Sequence, residues 1–177
     1  MTSRRYDSAG ISHAQSFIIF GGGSGKSTEI ITEQGVSAGP EMPEAVFRHA
    51  VAVVNETTSI LTGGLTDGLC QIDCLDSFRH LDKTWFFNHV SQQFQTGPNL
   101  ITGRYDHTSA TIQDKVTMEN IVAVIGGFKG TIPTAYLDSV ELLINGESEW
   151  QQGKKSCKIY KKMRLFSSFV SVHFFLM

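Results

Sequence analysis

Phe17-Ile18-Ile19-Phe20-Gly21-Gly22-Gly23-Ser24-Gly25-Lys26-Ser27-Thr28 decides the fold, because an apolar run entering glycines and then Gly-Lys-Ser-Thr can be read in two ways. A phosphate-binding loop needs G-x-x-x-x-G-K-[ST], followed by a helix whose N-terminus holds the anion. Counting back five from Gly25 reaches Phe20, and Gly35 and Pro40 interrupt the segment where that helix should run. The second reading is a strand that closes on paired glycines. The same unit returns at Ile60-Leu61-Thr62-Gly63-Gly64 and at Val122-Ala123-Val124-Ile125-Gly126-Gly127, neither followed by Gly-Lys-Ser. The glycines therefore belong to a repeat.

Three further landmarks recur in the same order. An arginine marks a turn before each apolar run, in Arg5-Tyr6-Asp7, Arg48-His49-Ala50 and Arg104-Tyr105-Asp106. A second strand follows the glycines: Ser27-Thr28-Glu29-Ile30-Ile31 in the first unit, Leu75-Asp76-Ser77-Phe78 in the second and Leu137-Asp138-Ser139-Val140-Glu141-Leu142-Leu143 in the third. An apolar or aromatic residue then stands three before a glycine, at Val36 and Gly39, Phe94 and Gly97, Trp150 and Gly153, with Pro40 and Pro98 after the first two. The middle unit has two aromatic candidates for its outer strand, Trp85 and Phe94. Gly39 to Gly97 spans 58 residues and Gly97 to Gly153 spans 56, a period that holds about four short strands with their turns.

Composition agrees. Seventeen glycines against four prolines, with Phe, Val, Ile and Thr prominent and no long stretch at helical spacing, predict strands and turns in one domain of 177 residues. Nine basic residues face 17 acidic ones up to Gly153, a net −8, and the six remaining basic residues all fall between Lys154 and Arg164. An acidic body argues against a nucleic-acid groove, which needs clustered Lys and Arg against phosphates. Cys70, Cys74 and Cys157 cannot all pair within the chain, and Cys70-x-x-x-Cys74 lacks the second pair of a zinc site, so reduced thiols are expected. The first residues have no apolar core of signal-peptide length, and a cytoplasmic location is the expectation.

At these landmarks the sequence resembles the kelch repeat of β-propellers, in which a double glycine closes the second strand, an aromatic sits in the fourth and a turn arginine leads into the next blade. The resemblance covers residues 4–153 and implies an all-β, kelch-type β-propeller fragment of about three four-stranded blades, at approximately 5–47, 48–103 and 104–153. Gly21, Gly22, Gly63, Gly64, Gly126, Gly127 and Trp150 are the structural kelch positions. Three blades fall short of the four to eight of a closed ring, so open blade edges are expected to favour self-association. From Lys154 the repeat stops. Residues 154–177 form an unrelated basic and then apolar tail, read as the product of an unspliced or shifted frame. Its 13 final residues, Leu165 to Met177, are too few to span a bilayer; a diverged terminal strand and shallow membrane contact are the alternatives.

The resemblance implies a non-catalytic module that binds other proteins through its loops, acting as scaffold or interaction partner, with no cofactor. Few residues precede Arg5, so no BTB-like helical domain is expected. Arg48 and Arg104, on turns between blades, are the best-placed charges for contacts between blades or with a partner. His49 and His107 follow the turn arginines and are expected to hydrogen-bond backbone. Trp85 and Trp150 suit packing between blades better than a recognition surface, and Asp76-Ser77 and Asp138-Ser139 suit turns better than a cation. Two enzyme readings stand as alternatives: a P-loop nucleotide-binding protein, and a galactose-oxidase-like copper enzyme. No tyrosine and histidine set for copper can be assigned to Tyr6, Tyr105, Tyr136 or Tyr160.

Overall fold

The computed structural model describes residues 4–23, 25–67, 78–130 and 135–153. The three cysteines, residues 75–77 and the tail 154–177 lie outside the described residues, together with the sequence readings that rest on them. Among the described residues all regular structure is strand.

Three antiparallel four-stranded sheets follow one another along the chain. The first contains β1 (Ala9–His13), β2 (Ser16–Phe20), β3 (Thr28–Thr32) and β4 (Gly35–Ala38) in spatial order. The second contains β5 (Ala50–Asn55), β6 (Thr58–Thr62), β9 (Thr84–Asn88) and β10 (Gln93–Thr96), and between β6 and β9 the chain makes a two-stranded ribbon of β7 (Leu65–Asp67) and β8 (Phe78–His80). The third repeats that plan with β11 (Thr108–Gln113), β12 (Asn120–Ile125), β15 (Val140–Ile144) and β16 (Gln151–Gln152), and with a ribbon of β13 (Phe128–Lys129) and β14 (Ala135–Tyr136).

Strand alternation gives each sheet two faces. Ile18, Phe20 and Ile30 of the first sheet share a buried layer with Leu61, Trp85 and Phe87 of the second. The intervening residues of the second sheet, Ile60 and Phe86, face the other way and pack with Val122, Val124 and Leu143 of the third. The middle sheet is covered on both faces, which is why apolar residues stand side by side in its central strands, Ile60-Leu61 in β6 and Trp85-Phe86-Phe87 in β9. Trp150 seals the second layer: it is buried, and its indole Nε1–H donates to the Pro98 carbonyl at 2.9 Å.

One placement differs from the sequence reading, and one choice it left open is decided. The third strand of the middle sheet is β9, with Thr84 opposite Thr62 and Trp85 opposite Leu61, whereas Phe78 begins β8, the second strand of the side ribbon. Phe94 lies in the outer strand β10. The cause is spacing: seven residues separate Gly21 from Thr28, 14 separate Gly126 from Val140, and 21 separate Gly63 from Thr84. The Leu-Asp-Ser match that suggested residues 75–78 falls inside this longer excursion.

The paired glycines sit where sheet meets sheet. Gly63 and Gly64 have φ of +57° and +101°. A Cβ on Gly63 would run into the carbonyl oxygen of Arg104, which opens the third unit. A Cβ on Gly64 would lie 2.5 Å from Val46 Cγ1 and 2.8 Å from the Phe47 carbonyl. Both backbone angle and space therefore demand glycine, and Gly21 stands against the Val46 carbonyl in the same way.

Phe87 is fully buried, with its ring 5.2 Å from Phe20 in an edge-on arrangement across the first layer. Phe87→Ala is expected to lower stability by about 3–5 kcal/mol in urea unfolding; a loss below about 1 kcal/mol would show that the two sheets do not pack through this ring.

Candidate functional site

Hydrogen bonds between units fix which turn residues are equivalent. Gly22 N–H donates to Val46 O at 3.0 Å and Gly64 N–H donates to Arg104 O at 2.8 Å. Phe47 bridges Leu65 as Tyr105 bridges Phe128. Val46 thus occupies the place of Arg5 and Arg104, and Arg48 occupies that of Asp7 and Asp106. The three residues Asp7, Arg48 and Asp106 share a left-handed backbone, with φ of +55°, +54° and +51°. This corrects the sequence alignment of Arg48 with the other two arginines by two positions.

Arg104 is no surface charge. Its side chain is completely buried, its Nη1–H donates to the Gly126 carbonyl at 2.8 Å and its Nη2–H to Ser139 Oγ at 2.9 Å, and it pairs with the equally buried Glu141. The Glu141 carboxylate also accepts from the amides of Ile101 at 2.7 Å and Thr102 at 3.0 Å. Arg5 repeats this arrangement in the first unit, donating to Gly21 O and Ser27 O at 2.8 Å and pairing with Glu29 at 3.5 Å. In the middle unit Val46 and Trp85 take the two positions and join the apolar layer instead. Arg104 is therefore an internal strut, and the expected contact with a partner does not fall on its side chain.

Arg48 is different. Its side chain is 41% exposed and lies between two carboxylates, with Nε 3.0 Å from Asp7 Oδ2 and Nη1 3.3 Å from Asp106 Oδ2. The Asp7 hydrogen bond raises the pKa of the guanidinium above its ordinary value. Burial raises that of Asp106, against the opposing effect of Arg48. The same residues join the units through the backbone: Arg48 N–H donates to Asp7 O at 2.8 Å, and Asp106 N–H donates to Arg48 O at 3.0 Å. Beside them lies a cleft of about 290 Å³ lined by Tyr6, Asp7, Phe47, Arg48, Leu65, Asp67 and Phe78. The side ribbons rim this end of the sheets with aromatic rings. Tyr6 is 66% exposed, Phe78 41% and Tyr136 72%, while Phe47 meets Phe78 edge-on and Tyr105 stacks on Phe128.

His49 and His107 are buried neutral groups between the glycines. Burial lowers the His49 pKa to about 4. Burial, reinforced by the charge of Arg104, lowers that of His107 to about 3. His107 Nε2 meets Thr62 Oγ1 at 2.8 Å, and neither ring nitrogen of His49 has a partner among the described residues. The expected hydrogen bond to backbone is not formed by His49 among the described residues. His13 and His89, with rings stacked 3.8 Å apart, link the first sheet to the second.

The Gly-Lys-Ser-Thr segment has no helix behind it. Thr28 begins β3 and its hydroxyl donates to Pro40 O, and Lys26 Nζ donates to Pro43 O at 3.1 Å. Among the described residues no three His, Cys, Asp or Glu side chains come together as a metal-binding group, and no helix is long and apolar enough to cross a membrane.

The two turn arginines should behave unlike each other. Arg104→Ala leaves the Glu141 carboxylate buried beside an empty site and is expected to cost about 3–5 kcal/mol in urea unfolding, whereas Arg48→Ala removes two partly exposed ion pairs, each worth less than about 1 kcal/mol. Equal losses would contradict this assignment. For His49 and His107 the unfolded chain binds protons below about pH 6.5 while the folded chain does not. Stability is therefore complete above that pH and falls as pH drops toward 4. His49→Leu should flatten this fall in a series of urea midpoints between pH 7 and pH 4.5, chosen across the shifted range; an unchanged slope would exclude His49 as its source.

No protein-family model matches the chain, and no curated protein matches it. Among solved structures, one described as "Structure of YjhT" superposes with a TM-score of 0.71 at 10% sequence identity, over 89% of this chain and 53% of that one. At this identity the likeness is one of all-β fold alone, and this chain spans about half the length of that protein.

Proposed function

We propose that the chain is a kelch-type β-propeller fragment of about three four-stranded blades, and that it acts as a non-catalytic module binding another protein through the face that carries Arg48. Support for the architecture comes from the repeated order of landmarks and from three sheets of one plan stacked through apolar layers. The observation that carries the function is the rim around Arg48, where a tethered guanidinium stands beside the exposed rings of Tyr6 and Phe78 over a cleft. Tyrosine and arginine dominate the energetics of protein interfaces because each offers large contact area with a polar end, and a pre-positioned side chain loses little entropy on binding. The acidic pairing of Arg48 limits its use as a site for phosphate or nucleic acid, since two flanking carboxylates already neutralise its charge.

Comparative affinity capture tests this reading. Wild-type chain and the Tyr6→Ala, Phe78→Ala double variant, matched for thermal stability, are each used as bait, and retained proteins are quantified by mass spectrometry. At least one protein is expected to drop by tenfold or more with the variant, equivalent to about 1.4 kcal/mol; identical retained sets would remove this face from consideration.

A further inference from the structure

The junctions between first and second units and between second and third are built from the same parts, and each end of the stack carries half of that junction. At both, the amide of the second glycine donates to the next unit's turn, Gly22 to Val46 and Gly64 to Arg104. The left-handed residues continue the ladder, Asp7 to Arg48 to Asp106. Apolar faces then close, with Ile18, Phe20 and Ile30 against Leu61, Trp85 and Phe87 in the first case.

Equivalent groups at the two ends are unmatched among the described residues. The Gly127 amide and the Asp106 carbonyl of the third unit, and the Asp7 amide and the Arg5 carbonyl of the first, make no backbone hydrogen bond among the described residues. Register places Ile125 opposite Val140 and Ala123 opposite Leu142 on the outward face of the third sheet, and Phe17 opposite Ile31 on that of the first. Ile125, Leu142 and Ile31 are half-buried, and Phe17 is 40% exposed.

We propose that two copies of this chain associate head to tail, with the third sheet of each copy stacked on the first sheet of the other. The proposal rests on the stacked-blade reading above. A second copy is the fitting occupant because the first sheet already carries the complementary half of the junction: its Arg5 carbonyl stands where Val46 and Arg104 stand, and its Asp7 amide where Arg48 and Asp106 donate. Two copies also match in length the solved protein of similar fold, of which one copy covers 53%. A heterologous contact of this kind forms a closed pair when the rotation returns on itself, leaving no open end. The contact brings Asp106 of one copy beside Asp7 of the other without an intervening arginine, so the association should tighten as ionic strength rises and screens that repulsion.

Sedimentation equilibrium tests it. The 177-residue chain is expected at twice its 19.5 kDa mass, more completely at higher salt. Phe17→Glu on one face and Leu142→Glu on the other should each give monomers. Their equimolar mixture should return to the double mass, because one intact junction remains between a sound first sheet and a sound third sheet. That recovery also shows that both variants fold; Ile31→Glu replaces Phe17→Glu if the latter loses its cooperative melt. A monomeric wild type, a variant that still pairs, a mixture that stays monomeric, or an association weakened by salt would each overturn the proposal. A chain that pairs only after removal of residues 154–177 would make that segment the occupant of the edge, and would overturn it equally. A monomer that still captures a Tyr6-dependent protein would sink the pairing alone, and a dimer that captures none would sink the binding face alone.

Discussion

Everything in this molecule depends on how closely the backbone of one unit can approach the glycines of the unit before it. With a side chain at Gly21 or Gly63 the carbonyl of Val46 or Arg104 could not seat, the amides of Gly22 and Gly64 would lose their acceptors, and the apolar layers behind them would part. Backbone hydrogen bonding and hydrophobic burial are thus coupled at one point. The layers supply most of the favourable free energy, but the glycines set the distance at which that energy can be collected.

Once the junction is fixed, the positions flanking it tolerate two chemistries. Arg5 with Glu29 and Arg104 with Glu141 satisfy the carbonyls and amides near the turn by charge-assisted hydrogen bonds. Val46 and Trp85 fill the same places with apolar volume. Each pair works because both members change together. A single arginine facing Trp85, or a single glutamate facing Val46, would leave a charge out of water without a partner, whereas the all-apolar pair needs none. The three units therefore record two complete solutions to one packing problem.

Much of this was legible in the residues alone. Three double glycines at the ends of apolar runs announce both the repeat and the strand type, and the glycine three residues after Val36, Phe94 and Trp150 lies in each unit where its amide donates to the start of the third strand, at Thr28, Thr84 and Val140. Two things misled. An arginine near a turn looks the same in sequence whether its side chain points inward, as in Arg104, or outward, as in Arg48. Only the carbonyl that meets the preceding glycine separates them. The long excursion between Gly63 and Thr84 likewise hides the third strand of the middle sheet behind a coincidental Leu-Asp-Ser. The rim around Arg48 was missed except for Arg48 itself, because Tyr6, Phe47 and Phe78 are far apart in the chain and gather only through the folded stack.

The side ribbons β7–β8 and β13–β14 carry a broader implication for how such a chain can change. They leave the sheets just past the glycines and return just before the third strand, so extra residues placed there disturb neither layer. Lengthening an excursion of this kind carries a penalty that grows only with the logarithm of its length. Evolution can therefore rewrite the rim by insertion, one unit at a time, while selection on the glycines holds the stack constant.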